Sequence, residues 1–310
     1  MEFGLMTEPQ LGATYEQILD AARYAEKAGL EVFARSDHYL FPGYEAPHAT
    51  DAFATLAGLA RDTGRIRLCV LVSPITFRHP AVIAKMAMTI DEMSGGRLML
   101  GLGTGWMEKE HAAFGLSFWD WSERFGRLEE ALRYVRAAFD GRDGFTGDFY
   151  RLEPMDIRPR PSGALPLVVG GSGSEKTPRL AGTYADEYNL MAVPVGDIQA
   201  RIATSREAAA TAGRDPDRLR ISVMGVAVVG RDEASYRANL HKAAASDLWG
   251  RSPDEIEARL ERFGAPVGPA PKAREAMAAL AAAGVDRFYL QHLGTLDVPL
   301  LDEAFEVLRG

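Results

Sequence analysis

Four short segments carry side chains whose types and spacing could do chemistry. Asp37-His38 closes a short apolar run, and an imidazole titrates near neutral pH, which suits proton transfer. Glu108, Glu110 and His111 lie just past the run Gly101-Leu102-Gly103-Thr104-Gly105. Gly170-Gly171-Ser172-Gly173-Ser174 stands between an apolar run and a helical pattern, with Lys176 beyond it. Such a turn can aim backbone N–H groups at an anion such as a phosphate; the plainer reading is a tight strand–helix turn. It is not a Walker A loop, because Glu175 stands where that motif needs glycine before Lys176-Thr177. It is not a nucleophile elbow either, because Ser174 replaces the second glycine of G-x-S-x-G.

The other segments are weighed in the same way. Gly101 to Gly105 lacks the third glycine of a dinucleotide fingerprint, since Trp106 occupies its place. Small residues there are expected to let a flat ring approach rather than merely to relieve packing. Glu108, Glu110 and His111 fit no standard metal spacing and read as a solvated helix start, so no metal site is expected. Phe114, Phe118, Trp119 and Trp121 read as packing more than as pocket. Cys69, the single cysteine, lies in the apolar run Leu68 to Val72 and reads as a small core residue.

These segments need elements to position them. Short β-branched runs alternate with longer stretches of helical period along the chain. Strands are expected at Glu2 to Met6, Glu31 to Arg35, Ile66 to Val72, Arg97 to Leu102, Leu165 to Val169, Glu187 to Leu190, Leu219 to Val229 and Val285 to Gln291. Helices follow them, among them Tyr15 to Ala28 with Thr14 as its cap and Gly29 as its stop. Strict alternation demands right-handed parallel crossovers. Closure into an α/β (β/α)8 TIM barrel is the expected architecture, with a doubly wound open sheet as the alternative. One domain over 1–310 is expected, with long insertions at Asp140 to Ala164 and Ser246 to Ala270. In such a barrel, function lies at the carboxyl ends of the strands, where all four segments fall.

Composition narrows the partners. The 310 residues carry 35 Lys+Arg against 43 Asp+Glu, a net charge of −8, which argues against nucleic acid and anionic membrane surfaces. No apolar run approaches the ~18 residues of a membrane helix. The first cationic residue is Arg23, so no secretory leader is expected and the expected location is cytoplasmic. Arg outnumbers Lys by 29 to 6, which suggests a GC-rich coding genome.

The sequence resembles the bacterial luciferase-like flavin and deazaflavin oxidoreductases. The likeness rests on Ser36-Asp37-His38, on ITFRHPAVIAKMAMTIDEMSGGRLMLGLGTGW (75–106), on ERFGRLEEALRYVRAAF (123–139) and on PLVVGGSG (166–173). GDFYRLE (147–153), RPRP (158–161), LAGTYADEYNL (180–190) and GVDRFYLQHL (284–293) extend it along the chain. It implies a flat isoalloxazine or deazaflavin ring at the barrel mouth. The pattern looks closest to the branch that uses coenzyme F420, with FMN as the alternative cofactor.

That resemblance implies catalytic roles for Asp37 and His38 beside the ring. It implies cofactor contacts from Asp37, His38, Val70, Leu71, Ser73, Thr76, Gly103, Thr104, Gly105, Val169, Gly170, Gly171, Ser172 and Gly173. It also implies a bulge with a non-prolyl cis peptide near Val70-Leu71. The implied reaction is hydride transfer between cofactor C5 and a small organic substrate; the alternative is an FMN-dependent monooxygenase fed by a separate reductase. A homodimer is expected by the same likeness. Trp106 stands where the deazaflavin sugar-phosphate dehydrogenases of this superfamily place a glutamate, which implies a more apolar substrate pocket.

Overall fold

Residues whose side chains are buried on both faces make the strands. The computed structural model describes residues 1–41, 48–141, 144–247, 250–293 and 296–310. Eight strands form a closed parallel barrel: β1 (Glu2–Thr7), β2 (Val32–Arg35), β3 (Arg67–Pro74), β4 (Leu98–Gly103), β5 (Leu167–Gly170), β6 (Glu187–Met191), β7 (Arg220–Gly225) and β8 (Arg287–His292). Each strand pairs with its sequence neighbour, and β8 closes on β1 with Phe3 opposite Phe288 and Leu5 opposite Leu290. The eight expected strands are thus all present, and the open sheet is excluded.

The helices that follow are α1 (Tyr15–Lys27), α2 (Ala52–Asp62), α3 (Pro80–Ser94), α4 (Glu108–Phe114), α5 (Trp121–Asp140), α6 (Lys176–Tyr184), α7 (Val195–Thr211), α8 (Glu233–Ala245), α9 (Pro253–Arg262), α10 (Ala270–Ala282) and α11 (Val298–Arg309). Local chemistry sets their limits. Thr14 and Gln17 form a reciprocal capping box at the start of α1, and Gly29 follows its end at φ +70°. Ile18, Ala21, Ala22 and Ala25 recur at helical spacing and turn one face of α1 inward.

Alternation along the strands separates two cores. One face of each strand meets the helices, as with Phe3, Leu5, Leu68, Val70, Leu98 and Leu100. The other face fills the barrel with Met6, Val32, Ala34, Cys69, Leu71, Met99, Val168, Met224 and Tyr289. Each fully buried Leu, Val, Phe or Met contributes roughly 1.5–3 kcal/mol. At the amino end of the barrel, Arg287 is ion-paired with Glu187 and Glu2, and Tyr289 Oη donates to Glu187 at 3.0 Å.

The seventh strand departs from expectation. Leu219 to Val229 reads as one strand, but β7 ends at Gly225, where a Cβ would meet Ala192 at 2.9 Å. Val228–Gly230 instead pairs in parallel with Val267–Pro269 above the rim. These two short strands, with α8 and α9, enclose a satellite core of Val228, Tyr236, Leu240, Ile256 and Val267. The other long connection carries a small hairpin, Phe145–Thr146 with Arg151–Leu152. Within the two connections, residues 142–143 and 248–249 lie outside the described residues.

Candidate active site

The carboxyl ends of the strands surround a cleft of about 1760 Å³. Its floor comes from β3. The register of β3 against β4 shifts between Val70 and Ser73, and the Leu71–Val72 peptide is cis, one residue later than expected. The side chain of Val72 wedges between neighbouring strands. A Cβ on Gly101, Gly103 or Gly170 would come within 2.7–2.8 Å of its methyl groups. Those glycines therefore make room for Val72, and Gly101 also for the Val70 carbonyl; Gly101 is not among the residues that line the cleft. Gly103, Thr104 and Gly105 nonetheless line the cleft, as do Leu71 and Val72.

His38 lines the cleft from the end of β2. Its Nδ1 lies 3.0 Å from Glu110 Oε2. Glu110 is 1% exposed, and its Oε1 also accepts the backbone N–H groups of Tyr39 (2.5 Å) and Leu40 (3.1 Å). An ionised carboxylate only accepts, so Nδ1 carries the proton and Nε2 is left for the cleft. Burial of the ring pulls its pKa down, but the hydrogen bond and charge of Glu110 more than reverse this, and the net shift is upward from 6.5. Trp106 packs edge-on against the imidazole, with centroids 5.6 Å apart.

The expected Asp37–His38 pair does not form. Successive side chains of an extended segment point to opposite sides, so Asp37 faces the wall while His38 faces the cleft. Asp37 receives a bidentate Arg78 at 2.5 and 3.1 Å and the Ser73 hydroxyl at 2.7 Å. Arg78 reaches on to Asp51 at 2.5 Å and Tyr39 Oη at 2.6 Å. Arg35, fully buried below, donates to Ser36 O, Thr50 and Thr55 and ties the end of β2 to the start of α2. Burial pulls its guanidinium down to about 10, which keeps it charged at neutral pH.

Several other expected contacts also lie behind the wall. Val70 and Val169 are fully buried in the core between barrel and helices. Ser73 is spent on Asp37. Thr76 is 2.7 Å from His111 Nε2, whose Nδ1 donates to Met107 O at 2.8 Å. Glu110 and His111 are thus not a solvated helix start, because both are 1% exposed. Their spacing from buried Met107, at i+3 and i+4, is the signal that could have placed them on its inward face.

Across the cleft, Gly170, Gly171, Ser172 and Gly173 line the wall beside Lys176 and Thr177. The first turn of α6 has no side-chain cap, which leaves its N–H groups available. A Cβ on Gly173 would lie 2.6 Å from Thr177 Oγ1, so only glycine lets the loop close this tightly on α6.

A further carboxylate escaped the sequence reading. Glu8, past the end of β1, lines the cleft and accepts Gln10 Nε2 and Gln291 Nε2, each at 2.6 Å. Gln10 in turn accepts the Ser36 hydroxyl at 2.8 Å. Of the expected aromatic packing cluster, Phe118 packs tilted against His111 (4.7 Å) and Arg124 lies over Phe118 and Trp121, but Trp121 also lines the cleft.

A closed parallel barrel with a bulged third strand, a rim histidine and a facing glycine loop defines an α/β barrel built to hold a ligand at its mouth. The family model of luciferase-like monooxygenases matches residues 1–295, and the chain belongs to that family. Over 236 residues it is 33% identical to an F420-dependent hydroxymycolic acid dehydrogenase of Mycobacterium tuberculosis, covering 76% of this chain and 63% of that protein. Over 225 residues it is 34% identical to the pyrimidine monooxygenase RutA of Allorhizobium ampelinum, covering 67% and 59%. The chain therefore spans about three fifths of the length of these two relatives. Its fold matches an F420-dependent secondary alcohol dehydrogenase solved with an F420-acetone adduct, at a TM-score of 0.80 and 21% identity, over 100% of this chain and 99% of that one. Among the described residues, no helix is long and apolar enough to cross a membrane.

Proposed function

We propose that this chain is an oxidoreductase that holds the deazaflavin coenzyme F420 in the rim cleft and acts on an organic substrate bound over it. The observation that carries the reading is the His38–Glu110 pair facing the glycine loop across one cleft. The loop suits a cofactor phosphate, since Gly171 to Gly173 lead into an uncapped helix start beside Lys176. Leu71 and Val72 offer an apolar floor that suits a flat ring. When bound, the deazaflavin supplies or accepts a hydride at C5.

The chain's own residues handle the proton. Glu110 holds Nδ1–H and so fixes the ring with Nε2 toward the substrate. The raised pKa keeps the imidazolium populated above pH 6.5, so His38 donates a proton when a substrate carbonyl is reduced. In the oxidation direction it must first be neutral, and that rate rises with pH through its pKa. Leu71 gives the site an apolar floor, and Trp106 packs edge-on against the imidazole.

The F420-dependent dehydrogenase among the relatives supports this reading. The pyrimidine monooxygenase supports a second one, an FMN-dependent monooxygenase that takes reduced flavin from a separate reductase and consumes oxygen. A side-by-side titration of the purified protein with F420 and FMN separates them. Micromolar or tighter binding of F420 alone is the expected result. Preference for FMN, with substrate-dependent oxygen uptake, would replace the first reading by the second.

A further inference from the structure

Three side chains that fill the barrel also line the cleft: Met6, Leu71 and Met224. Asn189 of β6 lines the same cleft and is 4% exposed. Its strand neighbours Tyr188 and Leu190 pack in the core between barrel and helices, so alternation turns Asn189 into the barrel. Gly170 is in register with it on β5, and a Cβ there would lie 3.8 Å from Asn189 Cβ and 2.8 Å from Val72 Cγ1. Asn189 therefore stands beside both the bulge and the foot of the glycine loop.

A carboxamide buried this far is costly unless its polar atoms are bonded. Asn189 Nδ2 donates at 2.9 Å to Oγ of the fully buried Ser222, in register on β7. Asn189 Oδ1 has no hydrogen-bond partner among the described residues. Other polar side chains buried along the cleft are spent on protein partners: Ser36 on Gln10, Gln10 on Glu8, and Glu110 on His38 and the Tyr39 N–H. Glu187, one inward position below Asn189, is closed in the same way by Arg287 and Tyr289. The Ser222 hydroxyl can accept or donate, so the free end of the amide can meet either a donor or an acceptor.

We propose that Asn189 is a cofactor-reading residue, whose free amide end bonds the polar edge of the planar ring that enters the barrel first. This rests on the oxidoreductase reading, since the ring is that of its cofactor. Flavins and deazaflavins share a pyrimidinedione edge, an N3–H between two carbonyls. At the opposite edge the F420 ring carries a hydroxyl where FMN carries two methyl groups. The amide matches either polar edge, and among Met6, Leu71 and Met224 it supplies the polar partner that edge needs. A ring that enters with a dimethyl edge leaves the amide unsatisfied, which costs binding. Asn189 thereby sets which end of the ring goes inward.

The test is fluorescence titration of the full chain and of Asn189→Leu, first with F420 and FMN. The cofactor that the wild type binds should lose about five- to hundredfold in affinity in the variant. Unchanged affinity in a folded variant overturns the assignment and leaves the cofactor reading standing. Three rings carrying only the ribityl chain then separate a contact from mere packing: the F420 ring, its N3-methyl derivative, and the derivative with two methyl groups in place of the hydroxyl. The wild type should prefer the first ring over one of the others, and Asn189→Leu should lose that preference. Loss against the N3-methyl ring puts the pyrimidinedione edge inward, loss against the dimethyl ring puts the hydroxyl inward, and each supports the assignment. Weaker binding with both preferences intact reports packing alone and overturns it. A wild type that binds neither F420 nor FMN removes the cofactor reading and this assignment with it. Asn189→Ala takes the place of Asn189→Leu if the latter does not fold.

Discussion

His38 Nδ1 and Glu110 Oε2, 72 residues apart in sequence, meet at 3.0 Å on the rim of the barrel. The contact joins the end of β2 to α4 across the entire β3 unit. It gives one ring nitrogen a fixed partner and leaves the other facing the cleft. The same carboxylate gathers the backbone of Tyr39 and Leu40, so it shapes the rim loop as well as the imidazole.

Glu110 should set the titration of His38. In Glu110→Gln the charge that raises the imidazole is gone and burial, which lowers it, remains. The His38 pKa, read by NMR, is expected above 6.5 in the wild type and to fall in the variant. The sign for stability follows. The contact contributes fully below pH 6.5 and is lost as pH rises through the folded pKa. An unchanged His38 titration in Glu110→Gln would remove this coupling.

His38→Ala should lower turnover by about 10²- to 10⁴-fold if the imidazole moves the proton. Cofactor affinity should change little, because the glycine loop lies on the opposite wall. Comparable turnover in the variant, measured at saturating cofactor, would take His38 out of the chemistry.

Asp37→Ala should be a stability variant. It takes the bidentate carboxylate from Arg78, which is 10% exposed and keeps Asp51 and Tyr39 as partners. Breaking a buried pair by removing one partner costs about 3–5 kcal/mol, and the remaining Asp51 contact holds the loss to the low end of that range. Urea unfolding should show the loss. A variant that keeps wild-type stability but loses turnover would return Asp37 to a direct catalytic role.

Gly173→Val should weaken cofactor binding. Its Cβ would crowd Thr177 Oγ1 at 2.6 Å and open the loop away from α6. Loss of one charge-assisted hydrogen bond of about 1.5–3 kcal/mol corresponds to about ten- to hundredfold in affinity. Unchanged affinity by fluorescence titration, in a protein with wild-type thermal unfolding, would refute the phosphate cradle.

Much of the barrel is legible along the chain because its cause is local. Near-continuous apolar runs such as Arg67–Pro74 need burial on both faces, and only a helix-covered parallel sheet supplies that. Thr14 and Gly29 mark the limits of α1 through backbone chemistry that neighbours in sequence provide. The glycine loop at 170–173 and the rim position of His38 follow from the same periodicity. What tertiary structure alone decided is who meets whom. Asp37 precedes His38 in sequence yet turns to Arg78, while His38 turns to Glu110. Glu110 reads as solvated because its partners come from the segment after β2, and no local pattern announces them. Gly101 looks like a ligand-facing glycine until the Val70 carbonyl and Val72 fill the space beside it. Sequence fixes periodicity and caps through interactions a few residues long; pairings across tens of residues exist only once the barrel has closed.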